Sequence, residues 1–553
     1  MAPTPIYIPS SSLTPLPSQG SAKSLRSSQA STPPKSPAYR EQNALPYELR
    51  EHCLIYFEES LHTQALNLLL SVLSSGATPP SYLPAIIAPA HFLSLIATLS
   101  VHPTLTHRAS TNDRAHAGNL ALRYLRATLY SVGPIHGGLA EAFRFKSRSS
   151  APARNGRVSR RRTQEVDVKD DDSEEINNDL ANVASLWVRA EGFWHVVGWS
   201  FNCSILHHRR WEVWRDWLEY MIDVLETEWN LRVNKDDNLE TSILAQYCGG
   251  DGKIAGLSKR ILRAVFADGS GRAASEFGEV WSKETRELKK DGDERKVDKI
   301  DIDADNYGDY MDEEKDADLE SAPSSSDEDS ESQTKRVPKR KEIGVVNGSK
   351  HLGGMEALTL RLRLLSLLSN VSAQTPQSFM AMRNFYDLLL EHIRPLPLPT
   401  FFLIMSPSGL RYFNVSAASS LTQYILLTMM AANAPQPPND HLDQALLERC
   451  YLPWAANSAA VVENTKVSLC VETLLRLLDR EGALRGTDEL MKAAEIGIEA
   501  RREKSSSSSR SKGRKGRRSS ELNSDQMWLE ASAQRIRAVI DLAKRNAEQE
   551  ISA

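Results

Sequence analysis

The segment at residues 249–253 has the composition of a phosphate-binding loop, because it reads Gly-Gly-Asp-Gly-Lys. A Walker loop needs four residues between its first glycine and its Gly-Lys pair, and a serine or threonine after the lysine. Tyr247 stands at the position of that first glycine, and Ile254 follows Lys253. We therefore interpret the segment as a connection between helices and expect no bound nucleotide.

Four aspartates have part of the spacing of a calcium-binding loop. Asp301, Asp303 and Asp305 alternate along the chain, and Asp312 occupies the twelfth position. An EF-hand loop also needs a glycine at its sixth position and a helix on each side. Asn306 replaces that glycine, and no convincing apolar helical pattern flanks the aspartates. The spacing therefore indicates a solvated acidic tract.

The histidines and cysteines do not form a recognisable metal or catalytic pattern. His195 lies between Trp194 and Val196 on an apolar element, so we expect a core histidine, and we expect His207 and His208 in an exposed turn. The cysteines are odd in number and widely spread, which favours neither a disulfide framework nor a zinc site and suits a reducing compartment. They are Cys53, Cys203, Cys248, Cys450 and Cys470.

No catalytic motif is found in the sequence. It has no GxSxG elbow, HExxH motif, Rossmann glycine fingerprint or kinase motif set. The N-terminus lacks a basic region followed by an apolar one, so we expect no secretory signal. Residues 82–101 carry no formal charge, but Pro84, Pro89 and His91 interrupt them, which predicts two short buried helices. We expect a non-enzymatic protein with no cofactor, no metal, no membrane span and no small-molecule substrate.

Three basic clusters are the remaining candidates for ligand binding. They lie near Arg160, Lys339 and Arg514, and opposed charge blocks nearly cancel in the formal net charge of −4. Two clusters resemble nuclear-import signals. The import candidates are Arg160, Arg161, Arg162, Lys335, Arg336, Lys339, Arg340 and Lys341. Such runs also neutralise phosphates without reading sequence, although no aromatic residues are interleaved for base stacking.

Two polar segments contain candidate phosphoacceptors. Thr32 and Ser36 each precede a proline, which suits proline-directed kinases. Ser324, Ser325 and Ser326 precede a run of three acidic residues, which suits an acid-directed kinase. Phosphorylation there would add negative charge to an already acidic tract.

Seven of the ten tryptophans lie within residues 186–229 and indicate a helical hairpin. Large apolar residues recur there every three or four positions from Trp211 onward, with charged residues between them, which predicts an amphipathic helix. A second apolar segment precedes it, and a polar turn at residues 207–210 joins the two. The expected core residues are Trp194, Trp211, Trp214, Leu218, Met221 and Leu225.

The fold class predicted for the 553 residues is all-α: stacked helical hairpins, HEAT-like or an irregular α-solenoid, interrupted by long disordered charged linkers. No regular repeat period supports the analogy further. The predicted segments are a disordered Ser/Pro tail (1–45), an N-terminal helical region (46–146), a charged linker (147–180), a Trp-rich helical region (181–285), an acidic then basic disordered linker (286–352), a C-terminal helical region (353–503), a basic disordered segment (504–523) and a C-terminal helix (524–553).

These features together favour a non-catalytic nuclear scaffold or adaptor that assembles a complex of nuclear proteins. Chromosome maintenance, transcription and ribosome assembly all fit this description. The alternative is a chromatin- or RNA-associated protein that binds nucleic acid without sequence specificity through its basic segments.

Overall fold

The computed structural model describes residues 39–77, 83–145, 176–249, 256–286, 350–438, 441–510 and 518–552. Within these ranges the chain is mostly helical, which confirms the all-α prediction, whereas the stacked-hairpin or HEAT-like arrangement stays a prediction. The described residues belong to one compact unit. None of the described helices is long and apolar enough to span a bilayer.

The N-terminal part combines five helices with a small parallel sheet. Strand β1 (Gln42–Ala44) pairs with β2 (Ala85–Ile87), and the helices are α1 (Tyr47–Glu58), α2 (His62–Ser74), α3 (Ala90–Leu99), α4 (Asn112–Ser131) and α5 (Leu139–Ala142). The expectation of two helices within residues 82–101 is therefore wrong, because β2 precedes the single helix α3. Prolines at 84 and 89 bracket the strand, and a residue before proline, like a β-branched isoleucine, favours extended backbone.

The tryptophan-rich part is a hairpin of two long helices with shorter helices around it. Its elements are α6 (Leu186–Arg189), α7 (Phe193–Leu206), α8 (His208–Lys235), α9 (Ile243–Gly249), α10 (Leu257–Val265) and α11 (Gly271–Glu276). The structure buries each expected core residue to 4% exposure or less, namely Trp194, Trp211, Trp214, Leu218, Met221 and Leu225. The turn is shorter than predicted, because α8 begins directly after His207 and its residue Arg210 is buried.

The C-terminal part consists of eight helices. They are α12 (Gly354–Gln374), α13 (Met382–Ile393), α14 (Leu398–Met405), α15 (Val415–Met429), α16 (Gln444–Leu446), α17 (Val461–Arg480), α18 (Asp488–Arg510) and α19 (Arg518–Ser552), and α16 continues into a π-helical turn at Leu447–Tyr451. Helix α17 is buried over most of its length and contacts α15, α18 and α19.

The boundaries of the last two helices correct the predicted disordered segment. Residues 504–510 lie in α18 and residues 518–523 lie in α19, so only residues 511–517 of that segment fall outside the described ranges. Ion pairs between Asp488 and Lys544 and between Glu495 and Arg537 show that the two helices run antiparallel. The serine-rich composition of the turns at residues 504–510 and 518–523 does not by itself favour a helix.

Helix α12 fastens the C-terminal part to the hairpin through two arginines. Arg363 binds Asp223 at 2.7 Å and also pairs with Glu226, so part of the acidic face of α8 is neutralised within the fold. Arg361 points the other way, is buried, and lies 4.0 Å from the ring centroid of Phe201 on α7. On the N-terminal side, Arg126 of α4 pairs with α8 through a more exposed ion pair. Helix α8 is therefore the shared surface of all three parts.

We expect Trp214→Ala to lower the free energy of unfolding by about 3–5 kcal/mol, because it removes a fully buried indole and leaves a cavity. Denaturant unfolding of the full chain measures the loss. Tyr130→Ala is the control, since this ring is 69% exposed, and a surface substitution of this kind changes stability by about 0.5 kcal/mol or less. Equal losses in the two variants would contradict the assignment of Trp214 to the core.

Candidate functional site

The centre of the tryptophan-rich part is a fully buried ion pair. Arg210, in the first turn of α8, places Nη2 3.1 Å from Oε2 of Glu284, and both side chains are almost inaccessible to water. The indole Nε1 of Trp199 donates to the other carboxylate oxygen. Glu284 therefore has both oxygens bonded, as a buried carboxylate requires.

Two indoles complete the environment of Arg210. Its guanidinium lies 4.7 Å from the ring centroid of Trp214 and 5.7 Å from that of Trp281, and the two rings are stacked 17° from parallel. Its Nε and Nη1 form no hydrogen bond among the described residues. The ring faces therefore supply cation–π attraction where oxygen acceptors are missing.

Residues 279–286, which we call the Glu284 turn, are fastened to the N-terminal part of the chain. Nε2 of His107 donates to the carbonyl of Glu284 at 2.7 Å, and Nη1 of Arg108 donates to the carbonyl of Lys283 at 2.7 Å. The indole of Trp281 donates to the carbonyl of Ala184 at 2.8 Å. The turn is thus held by two segments that are far from it in sequence, residues 107–108 and Ala184.

The electrostatics of this centre follow from burial. Desolvation lowers the pKa of Arg210 and raises the pKa of Glu284, and the attraction between the two opposes both shifts. An arginine stays protonated at neutral pH, and its positive charge favours the ionised form of Glu284. Desolvation and the positive charge of Arg210 lower the pKa of His102 and of His107 to about 4, so both imidazoles are uncharged at neutral pH.

This arrangement is suited to holding chain segments together. Each charged group at the centre already has a partner within the chain, and the indoles exclude water from it. Across the described ranges, no group of three or more His, Cys, Asp or Glu side chains could hold a metal ion. The contacts around Arg210 and Glu284 therefore form a structural clamp between chain segments.

Other buried charges follow the same rule in the C-terminal part. The carboxylate of Glu472 on α17 accepts from Arg535 at 2.7 Å and from Ser532 at 3.1 Å, which joins α17 to α19. Buried Arg501 donates to two carbonyls near the end of the π-helical turn. One of them is the carbonyl of Trp454, at a distance of 2.9 Å. Lys466 is also buried and donates to the carbonyl of Arg394.

Some of the site residues predicted from the sequence lie within the ranges that the structure describes, and others lie outside them. His195 is buried, and His208 is exposed and lies 3.7 Å from Glu212. The import candidates Arg160, Arg161, Arg162, Lys335, Arg336, Lys339, Arg340 and Lys341 lie outside the described residues. The phosphoacceptor candidates Thr32, Ser36, Ser324, Ser325 and Ser326 lie outside them as well.

Sequence reasoning missed the Arg210–Glu284 pair. A signal was present, because Arg210 falls four positions before Trp214 on the apolar stripe of α8, where a charge needs a buried partner. Nothing in the spacing identified that partner, which is 74 residues away. No protein-family model matches the chain, and no curated protein matches it significantly.

We expect Glu284→Gln to cost about 3–5 kcal/mol of unfolding free energy, because it leaves Arg210 charged and buried without a counter-charge. The matched control is Glu495→Gln, which breaks a partly exposed pair with Arg537, and such a pair contributes about 1 kcal/mol or less. Denaturant unfolding at neutral pH compares the two variants. A loss at Glu284 no larger than that at Glu495 would refute the structural role of the buried pair.

We expect stability to fall as the pH is lowered from about 6.5 towards 4, in part because of His102. Its pKa is about 4 in the folded chain and 6.5 in the unfolded chain, so the unfolded state binds the proton first and gains stability. Between pH 7 and pH 5 the loss of unfolding free energy due to this residue is up to about 2 kcal/mol. His102→Gln should flatten the pH dependence of the unfolding free energy by that amount, and an unchanged slope would contradict the assignment.

Proposed function

We propose that this protein is a non-catalytic nuclear scaffold or adaptor, in which one helical body carries charged segments that bind partner proteins. The observation that supports this most directly is that the residues on both sides of each large charged insertion pack against the same helical core.

The first insertion, residues 146–175, is bounded by packed residues. Phe145 precedes it, and its ring lies 4.9 Å from Trp187 and 5.7 Å from Tyr247. Ile176 follows it and is buried, and the side chain of Asn178 donates to the carbonyl of Phe57 at 2.7 Å. The basic and acidic residues of this insertion are therefore tethered at both ends to the N-terminal and tryptophan-rich parts.

The second insertion, residues 287–349, leaves directly after the Glu284 turn. It returns at Leu352, which is buried, and at Gly353, whose φ of 82° and close approach to Ser204 leave no room for a side chain. The strongest charge polarity in the sequence lies within this insertion. Tethering at two fixed points raises the local concentration of any partner bound to such a segment, which is the physical basis of a scaffold.

The nuclear part of the proposal is based on the basic clusters. We expect replacement of Arg160, Arg161, Arg162, Lys339, Arg340 and Lys341 by glutamine to shift the fluorescently tagged protein from nucleus to cytoplasm, because an import receptor recognises these charges. The control replaces the exposed residues Lys235, Lys259 and Lys492 by glutamine and should leave the distribution unchanged. Unchanged nuclear accumulation of the first variant would overturn the import assignment.

Affinity purification of the tagged full chain from nuclear extract, with and without nuclease, tests the scaffold itself. A stable set of proteins that survives nuclease treatment supports an adaptor and identifies the process among chromosome maintenance, transcription and ribosome assembly. Loss of all co-purifying proteins on nuclease treatment would instead support a chromatin or RNA binder acting through the basic segments.

A further inference from the structure

Five basic side chains lie around the Glu284 turn and come from four regions of the sequence. They are Arg108 in the connection before α4, Arg189 at the end of α6, Arg209 in the first turn of α8, and Lys283 and Arg286 in the turn itself. Arg108 is half-buried and the other four are exposed. We refer to these five residues as the basic rim.

Direct contacts join three residues of the rim, and the other two act on histidines that lie beside them. Arg108 donates to the carbonyl of Lys283 at 2.7 Å, and the backbone N–H of Arg286 donates to the same carbonyl at 3.2 Å. The positive charges of Arg108 and Arg209 both lower the pKa of His107. A further charge, that of Arg189, acts on His102, whose ring packs edge-on against Trp281. Contacts therefore join Arg108, Lys283 and Arg286, and Arg189 and Arg209 are close enough to act on the two histidines beside them.

The rim carries more positive charge than its surroundings neutralise. Glu284 is matched by Arg210. Glu279 accepts from the backbone N–H of Lys283 at 2.8 Å and from Thr285, and its carboxylate offsets one of the five positive charges. Within the part of the chain that the structure describes, Arg189, Lys283 and Arg286 form no ion pair. Neighbouring like charges repel one another, so an anionic ligand would lower the free energy of this surface.

We propose that the basic rim is the docking surface for residues 301–320 of the same chain. This segment contains ten carboxylates and a single basic residue, Lys315. It begins fifteen positions after Arg286, and the intervening residues span at most ~50 Å when extended, which is ample to reach the rim. The tether gives the segment an effective concentration on the order of millimolar at the rim.

The same surface favours a carboxylate-rich peptide over a polynucleotide. The aromatic rings nearest the rim are those of Trp199, Trp214 and Trp281, and each is 5% exposed or less. They are therefore not available for stacking with bases, which single-stranded nucleic acid binding generally uses.

Binding of a fluorescent peptide with the sequence of residues 301–320 to the full chain tests the proposal by anisotropy. The recipient is a full-chain variant in which the ten carboxylates of that segment are replaced by amides, so that the rim is vacant. We expect saturable binding that weakens with added salt, and at least tenfold weaker binding of the peptide to the wild-type chain, whose own segment competes. In the vacant variant, Arg189→Glu, Lys283→Glu and Arg286→Glu together should reduce affinity at least tenfold.

The matched control in the vacant variant is Lys235→Glu, Lys259→Glu and Lys492→Glu, which makes the same change of charge on other helices. Several results would overturn the proposal: no peptide binding at low salt, equal affinity for the wild-type and vacant chains, or equal losses from the rim and control substitutions. Binding of a labelled single-stranded oligonucleotide that is lost on rim substitution, without peptide binding, would assign the rim to nucleic acid instead. Unfolding curves of each variant show that the body remains folded.

Discussion

A buried ion pair is tolerated only when its geometry and its remaining hydrogen bonds offset the loss of water. The Arg210–Glu284 pair meets this condition through a second donor from Trp199 and through the ring faces of two other indoles. Removing any one member leaves a charge or a polar atom stranded in an apolar interior. The pair therefore ties the first turn of α8 to the Glu284 turn in the folded state, although 74 positions separate the two charged residues.

The remaining buried cations show a second use of the same physics, because each binds carbonyls near the end of another helix. Arg361 donates to the carbonyls of Val265 and Ala267 at the end of α10, and Lys466 donates to the carbonyl that follows α13. The last carbonyls of a helix lack intrahelical donors and carry the negative end of its dipole. A long cationic side chain donates hydrogen bonds to these carbonyls and places a positive charge at the negative end of the dipole. The C-terminal part is thus joined by side chains of one helix that cap another.

Sequence patterns predicted the parts of this fold that depend on neighbouring residues. The apolar stripe of α8 has a strong helical period, so its burial followed from spacing alone. Strand β1 is exposed on all three residues and carries no periodicity, so its pairing with β2 could not be predicted. The helical conformation of residues 504–510 and 518–523 could not be predicted either, because these stretches are rich in serine, which is a weak helix former.

The candidate site was harder to predict than the helices, for a specific reason. Arg210 was assigned to a polar turn because three other polar residues precede it, and charged residues are rarely buried unless paired. Its partner Glu284 lies on a short turn just before a highly charged insertion, where acidic residues are common. The distinguishing feature is that two tryptophans from different segments stack around the arginine. Such a centre is defined by tertiary contacts, and its clamp anchors the residues from which the second charged insertion leaves the core.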